Sequence, residues 1–123
     1  MEIILDANFI ISCVRKKIDF VSALEEKGFK IVVPREVLQE MKDLKKKNGE
    51  SHLDREAIEI AFEMIERNKL KKMSLGSGKV DDKLIEIGKK GIYIATLDNG
   101  IKRNIPNKIV INNSTKGIEI VRD

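Results

Sequence analysis

Apolar residues along this chain follow two rhythms. Short, nearly continuous runs of Ile, Val and Leu at 2–6, 30–33, 92–95 and 108–112, with a possible fifth at 117–121, have the length and β-branched content of strands covered on both faces. Between them apolar positions recur every three or four residues, which predicts helices at about 8–16, 19–27, 34–47, 53–68, 80–89 and 98–103. Strands that alternate with helices indicate an α/β protein, here a three-layer α/β/α sandwich around a mostly parallel sheet of four or five strands.

Local punctuation agrees with these boundaries. Pro34 is expected at the first position of the third helix, where a missing N–H costs nothing. Ser51 and Asp54 have capping-box spacing ahead of the helical stripe Ala57, Ile58, Ala61, Met64 and Ile65. Gly28 and Gly91 each fall between a helix and a strand, as C-terminal caps do. Residues 45–52 read as a polar turn and 74–79 as a flexible glycine loop. No linker, repeat or low-complexity tract interrupts the pattern, so residues 1–123 are expected to form one domain.

Composition narrows the classes. Of the 123 residues 41% are hydrophobic and 36% charged, and no apolar run approaches the roughly 20 residues that span a bilayer. The chain opens directly on strand-like residues without a signal-peptide pattern, and its single cysteine excludes an internal disulfide. Both features point to the cytoplasm, with no membrane partner. Cys13, among Ile10, Ile11 and Val14, is expected to be a buried, inert thiol. The net charge of +4 is a mild basic excess. It gains meaning only beside an inward-facing group of acids, which leaves the cations elsewhere on the surface.

Four acids are placed to form such a group. Asp6 ends the first strand run, and Asp98 follows the run at 92–95 by a short step. On the third helix Val37, Leu38, Met41 and Leu44 define the apolar face; Glu40 lies about 40° from Leu44, Glu36 about 40° further out, and Asp43 nearly opposite. On the helix at 80–89, Asp81 falls between Leu84 and Ile85 on the azimuth of Gly88, while Asp82 and Glu86 point outward. Asp6 and Asp98 would each serve as a helix N-cap, and Asp81 with Asp82 would suit a helix dipole. Neither role explains why four acids converge on the carboxyl end of one sheet, where open α/β sheets hold ligands. Two unit charges about 4 Å apart repel by roughly 4 kcal/mol at an effective dielectric near 20. A hard divalent cation, which prefers oxygen ligands, would relieve that repulsion.

The segments carrying these acids resemble the PIN-domain nucleases. The resemblance runs through Leu5-Asp6-Ala7-Asn8, the stretch from Val33 to Glu40, Val80-Asp81-Asp82-Lys83-Leu84, and Ile94-Ala95-Thr96-Leu97-Asp98. It covers about 1–112 and leaves 113–123 outside. The stretch from Ala95 to Arg103 looks most like the branch that processes small-subunit ribosomal RNA. Toxins of the family usually carry an aromatic soon after the last aspartate, where this chain has Gly100 and Ile101.

The resemblance implies a metal-dependent endoribonuclease with Asp6, Glu40, Asp81 and Asp98 as catalytic and metal-holding residues. One or two Mg²⁺ or Mn²⁺ ions would generate hydroxide from bound water and stabilise charge on the scissile phosphate of RNA. Asn8 and Thr96 match the family's polar auxiliaries and would orient a carboxylate or a water. Lys42, Lys46, Lys102 and Arg103 are candidates for phosphate contact. A toxin paired with an antitoxin, or a catalytically silent module that binds RNA or a ribosome-assembly partner, are the other functions this family offers; a homodimer is compatible with each. Retention of all four acids argues against the silent module.

Other motifs fail. Gly76-Ser77-Gly78-Lys79 lacks the Ser or Thr of a phosphate loop, because Val80 follows. A receiver-like domain would need an acidic pair after the first strand. His52 sits in a polar segment remote from the acids. Phe9, Phe20, Phe29, Phe62 and Tyr93 all occupy apolar patterns, which leaves no base-stacking platform. If the four basic candidates meet phosphates, RNA affinity measured by titration will fall steeply as salt rises; a flat salt dependence would mark them as a solvated face.

Overall fold

The computed structural model describes residues 1–47 and 52–122. Its strands are β1 (Glu2–Leu5), β2 (Lys30–Pro34), β3 (Lys71–Met73), β4 (Tyr93–Ala95), β5 (Asn107–Asn112) and β6 (Gly117–Arg122). Its helices are α1 (Ala7–Arg15), α2 (Phe20–Glu26), α3 (Arg35–Lys46), α4 (His52–Arg67), α5 (Val80–Lys89) and α6 (Asn99–Lys102). The six strands form one sheet in the order β3-β2-β1-β4-β5-β6, with only the β5–β6 pair antiparallel.

Alternate residues of the same strands enter two cores. Ile3, Leu5, Ile31, Val33, Ala95 and Ile109 face a large core completed by α1, α2, α3 and α4. Ile4, Val32 and Ile94 face a smaller one completed by Leu84 of α5, Ile101 of α6, and Ile105. Burial on both faces is why the strand runs read as continuous rather than alternating. Phe9 and Phe20 are fully buried, and Phe29 meets Tyr93 edge to face at 5.0 Å. Cys13 is buried, which pushes its thiol up to about 12 and leaves it unreactive.

The sheet has six strands rather than the four or five expected. β3 escaped notice because its three residues are Lys-Lys-Met, with little apolar signal. It is an edge strand, and lysine at an exposed edge discourages pairing with another chain. Residues 117–122 close the opposite edge, where Arg122 donates to the Tyr93 hydroxyl and lies over its ring at 5.5 Å. Pro34 closes β2 as the N-cap of α3 instead of occupying the first helical position. Ser51 lies outside the described residues, so its capping role is not placed. Gly28 and Gly91 do take left-handed conformations, at φ of 89° and 98°, after α2 and α5. Among the described residues no helix is long and apolar enough to cross a membrane.

The loop at 74–79 is pinned rather than free. The Glu36 carboxylate accepts from the Leu75 N–H at 3.0 Å and the Ser74 hydroxyl at 3.2 Å, and Leu75 is buried in the smaller core. These bonds hold the Glu36 carboxyl below its usual value, the Leu75 N–H being the largest cause. Glu36 thus fixes the entry to α5 from across the sheet end.

Gly88 sets the depth at which α5 packs. A Cβ there would overlap Ile105 Cγ2 and press on Ile94. Gly88→Ala is expected to destabilise the protein by about 1–3 kcal/mol, the usual cost of overpacking. Gly117→Ala, whose Cβ would have its nearest neighbour at 3.7 Å, should change stability by less than about 0.5 kcal/mol. Urea denaturation of the two variants measures both.

Candidate active site

From β1 the chain steps outward through β2 and β3, then crosses back to lay β4 on the other side of β1. The carboxyl ends of β1 and β4 therefore border the crevice where strand order reverses, the usual ligand position in such sheets. Leu5 pairs with Ala95 across it, and the Asp6 N–H donates to the Ala95 carbonyl at 2.9 Å. This register sets Asp6 beside Thr96.

Asp6 is buried, with 4% of its surface exposed. As the N-cap of α1 it accepts from the Ala7 N–H at 2.9 Å through one oxygen. The other oxygen accepts from the Thr96 hydroxyl at 2.7 Å. Thr96 Oγ1 in turn accepts from the Asp98 N–H at 3.1 Å, so one buried threonine links the two aspartates. Asp98 caps the short α6 by accepting from the Ile101 N–H at 2.9 Å. Capping and site placement coincide in both residues.

Asn8 acts on backbone rather than on a carboxylate. Its side-chain oxygen accepts from the Leu97 N–H at 3.1 Å and so braces the turn between β4 and α6. Asn8 also lines the groove beside α1.

The acids influence one another through charge. Burial raises the Asp6 carboxyl above its ordinary value; Thr96 and Ala7 oppose the shift, while Asp81 and Asp98 add to it. Burial also raises Glu40, which then feels Asp6 and Asp81. Glu40 is half-buried on α3. Asp81, expected on the packed side of α5 between Leu84 and Ile85, is instead exposed in the first turn of that helix. Asp82 is exposed as well and adds nothing to either shifted acid. Among the described residues no three acidic, His or Cys side chains lie close enough as they stand to hold one metal ion. The available donors are nonetheless all hard oxygens, and positive charge would relieve the strain on both Asp6 and Glu40, which is the chemistry of a divalent cation site.

The basic candidates divide. Lys46 borders an open cleft with Glu40 and also a neighbouring recess with Lys45, Glu59 and Phe62, whereas Lys42 lines only that recess. Lys102 and Arg103 end α6 behind Asp98. His52 is exposed near Glu56 at 3.5 Å, away from the acids. The sequence reading overlooked a groove of about 610 Å³ along α1, lined by Asn8, Ser12, Arg15, Lys16 and Glu40. Its signal was available, since positions 8, 12, 15 and 16 recur at helical spacing.

The family model described as a PIN-like domain matches residues 3–113. The chain belongs to the PIN-like domain family. A search of curated proteins finds no match to this PIN-like domain. Among solved structures, that of the PIN domain endonuclease Utp24 is similar at 20% identity and a TM-score of 0.74, covering 99% of this chain and 93% of that one. At such identity the likeness is one of fold, and it extends over β6, which lies beyond the family match.

The raised carboxyls give a signed expectation. A folded-state value above the unfolded one means that ionisation costs stability: the native state binds more protons, so stability falls as pH rises through the shifted value. Without divalent metal, Glu40→Gln should melt above the wild type at pH 7–8. That advantage should vanish once the pH drops below the ordinary glutamate value of 4.5. Thermal melts across pH test this, and a variant less stable than wild type at pH 8 in chelator would contradict it.

Proposed function

We propose that residues 1–123 form a single PIN-like nuclease domain that hydrolyses RNA phosphodiester bonds with Mg²⁺ or Mn²⁺, cutting single-stranded or loop RNA in ribosomal RNA processing in the cytoplasm. One observation carries the reading: at the sheet's switch point a buried Asp6 is locked to Thr96, and its carboxyl is raised first by burial and then by Asp81 and Asp98, as Glu40 is raised first by burial and then by Asp6 and Asp81. A fold under no functional demand gains nothing from burying Asp6 and half-burying Glu40 beside further acids.

In this proposal Asp6, Glu40, Asp81 and Asp98 hold the cation. When bound it lowers the pKa of water and offsets charge on the phosphate. The chain's own parts have separate tasks. Asp6 is fixed by two hydrogen bonds and presents a rigid donor at the floor of the crevice. Asp98 spends one oxygen on the Ile101 N–H and keeps the other for the site. Glu40 and the exposed Asp81 close from two sides, on α3 and α5. The Asn8 amide is placed to donate to a phosphate oxygen, with Lys46, Lys102 and Arg103 supplying more distant positive charge.

A specific contact favours the processing branch over a toxin. A Cβ at Gly100 would stand 3.0 Å from Asp98 Oδ1, so any side chain at that position would crowd the carboxylate. A larger residue there, such as the aromatic that toxins carry nearby, would require the Asp98 carboxylate to shift by a few tenths of an ångström.

Labelled RNA should be cut in Mg²⁺ or Mn²⁺ and left whole in chelator. Asp81→Asn preserves shape and removes one charge, and should lower cleavage by about 100-fold or more if it belongs to the cation site. Asp82→Asn, one residue along the same helix turn, should stay within about twofold of wild type, because it touches nothing in the crevice. If both acids only complement the α5 dipole, both variants will cost a few tenths of a kcal/mol in stability and leave cleavage alone. Equal loss of activity in the two would refute the assignment of Asp81.

A further inference from the structure

Of the four acids, Glu40 lines the groove beside Asn8. The groove runs along α1 past Ser12 to Arg15 and Lys16. There it meets a second recess of about 440 Å³, lined by Arg15, Lys16, Lys17, Asn113 and Lys116. Four cations from two distant parts of the chain thus share one pocket at the far end of the groove. Arg15 is held to Asp54 at 2.9 Å, which fixes its guanidinium in the groove wall. Lys16, Lys17 and Lys116 are exposed and form no ion pair among the described residues.

A purely local explanation exists for part of this. Cations favour the negative end of a helix, and Arg15, Lys16 and Lys17 stand at the C-terminus of α1. That explanation stops at the helix. Lys116 belongs to the turn between β5 and β6, and is drawn to no helix end. Its backbone is left-handed at φ 56°, as is that of Lys17 at φ 59°, positions where glycine or asparagine is the lower-energy residue. Lys69 shares the conformation at the end of α4, so the backbone alone is no signature. What sets Lys17 and Lys116 apart is that both open on one recess.

We propose that this α1 groove and its basic end form the track for the RNA strand that flanks the scissile phosphate, with Lys16, Lys17 and Lys116 receiving successive phosphates. The assignment rests on the nuclease reading for its direction, since the strand must pass the acids at the Asn8 end. From Asn8 to Lys16 the helix rises about 12 Å. That matches three to four nucleotides of a stacked strand at about 3.4 Å each. The acids repel a polyanion, so affinity must come from outside the crevice, and this end of the groove supplies it. With no exposed aromatic in the track, recognition is by phosphate charge and is tolerant of sequence.

Binding of a fluorescent single-stranded oligoribonucleotide in chelator tests the track without cleavage. Lys16→Gln with Lys116→Gln should weaken binding about tenfold near 0.1 M salt and reduce the slope of log affinity against log salt by about 1.4, two phosphate contacts at about 0.7 each. Lys30→Gln with Lys89→Gln removes the same charge at the opposite end of the sheet and should leave both values unchanged. Equal weakening by the two pairs would reduce the effect to net charge and overturn the track. Displacement of the RNA by polyglutamate as readily as by unlabelled RNA would make the recess a seat for an acidic protein segment, and would overturn it as well. The two readings fail separately. RNA held by the track but never cut with Mg²⁺ or Mn²⁺ would sink the nuclease reading and uphold the track. RNA cut normally, with Lys16→Gln and Lys116→Gln binding as wild type, would do the reverse.

Discussion

Everything at the carboxyl end of this sheet depends on the buried carboxylate of Asp6 and the Thr96 hydroxyl that meets it. Removing a carboxylate from water costs several kcal/mol even after relaxation. A hydrogen bond to a charged group returns about 1.5–3 kcal/mol, and Asp6 receives two, from Thr96 and from the Ala7 N–H. The terms nearly balance, and burial wins, which is why the carboxyl stays raised. Such a group is held in place firmly but is not content as an isolated charge.

That balance organises its neighbours. The β1–β4 pairing brings Thr96 to Asp6, and the same hydroxyl accepts from the Asp98 N–H. Asn8, on the first turn of α1, holds the Leu97 N–H from the other side. A single network therefore orders the start of α1, the end of β4 and the start of α6. Glu40 and Asp81 stand outside it, on α3 and α5, and their carboxylates form no hydrogen bond or ion pair among the described residues. The proposed cation site rests on this network, with Glu40 and Asp81 as its outer carboxylates.

The opposite tendency is visible along α1. Its first turn carries Asp6 and Asn8 and its last carries Arg15 and Lys16, so one helix runs from the acidic crevice to the basic recess. The modest net charge of +4 conceals this separation. Local field, and not total charge, is what a polyanion meets on approach.

The chain's own order determined a good deal. Runs of Ile and Val flanked by glycines and acids mark β1, β2, β4, β5 and β6, and the helical stripes mark all six helices, because burial on two faces or on one leaves different periods in the sequence. The half-buried edge position of Glu40 was equally legible from 100° per residue. The exposure of Asp81 was not: periodicity set it between Leu84 and Ile85, yet in the first turn of α5 it stands open to solvent. Nor could spacing reveal β3, whose Lys-Lys-Met has pairing but no pattern, or Glu36, whose partners Ser74 and Leu75 are far along the chain. The meeting of Lys116 with Arg15, Lys16 and Lys17 is of the same kind. Periodicity records which face of an element is buried. Which distant elements then share a cleft is fixed by strand order and packing depth, and those are properties of the assembled sheet.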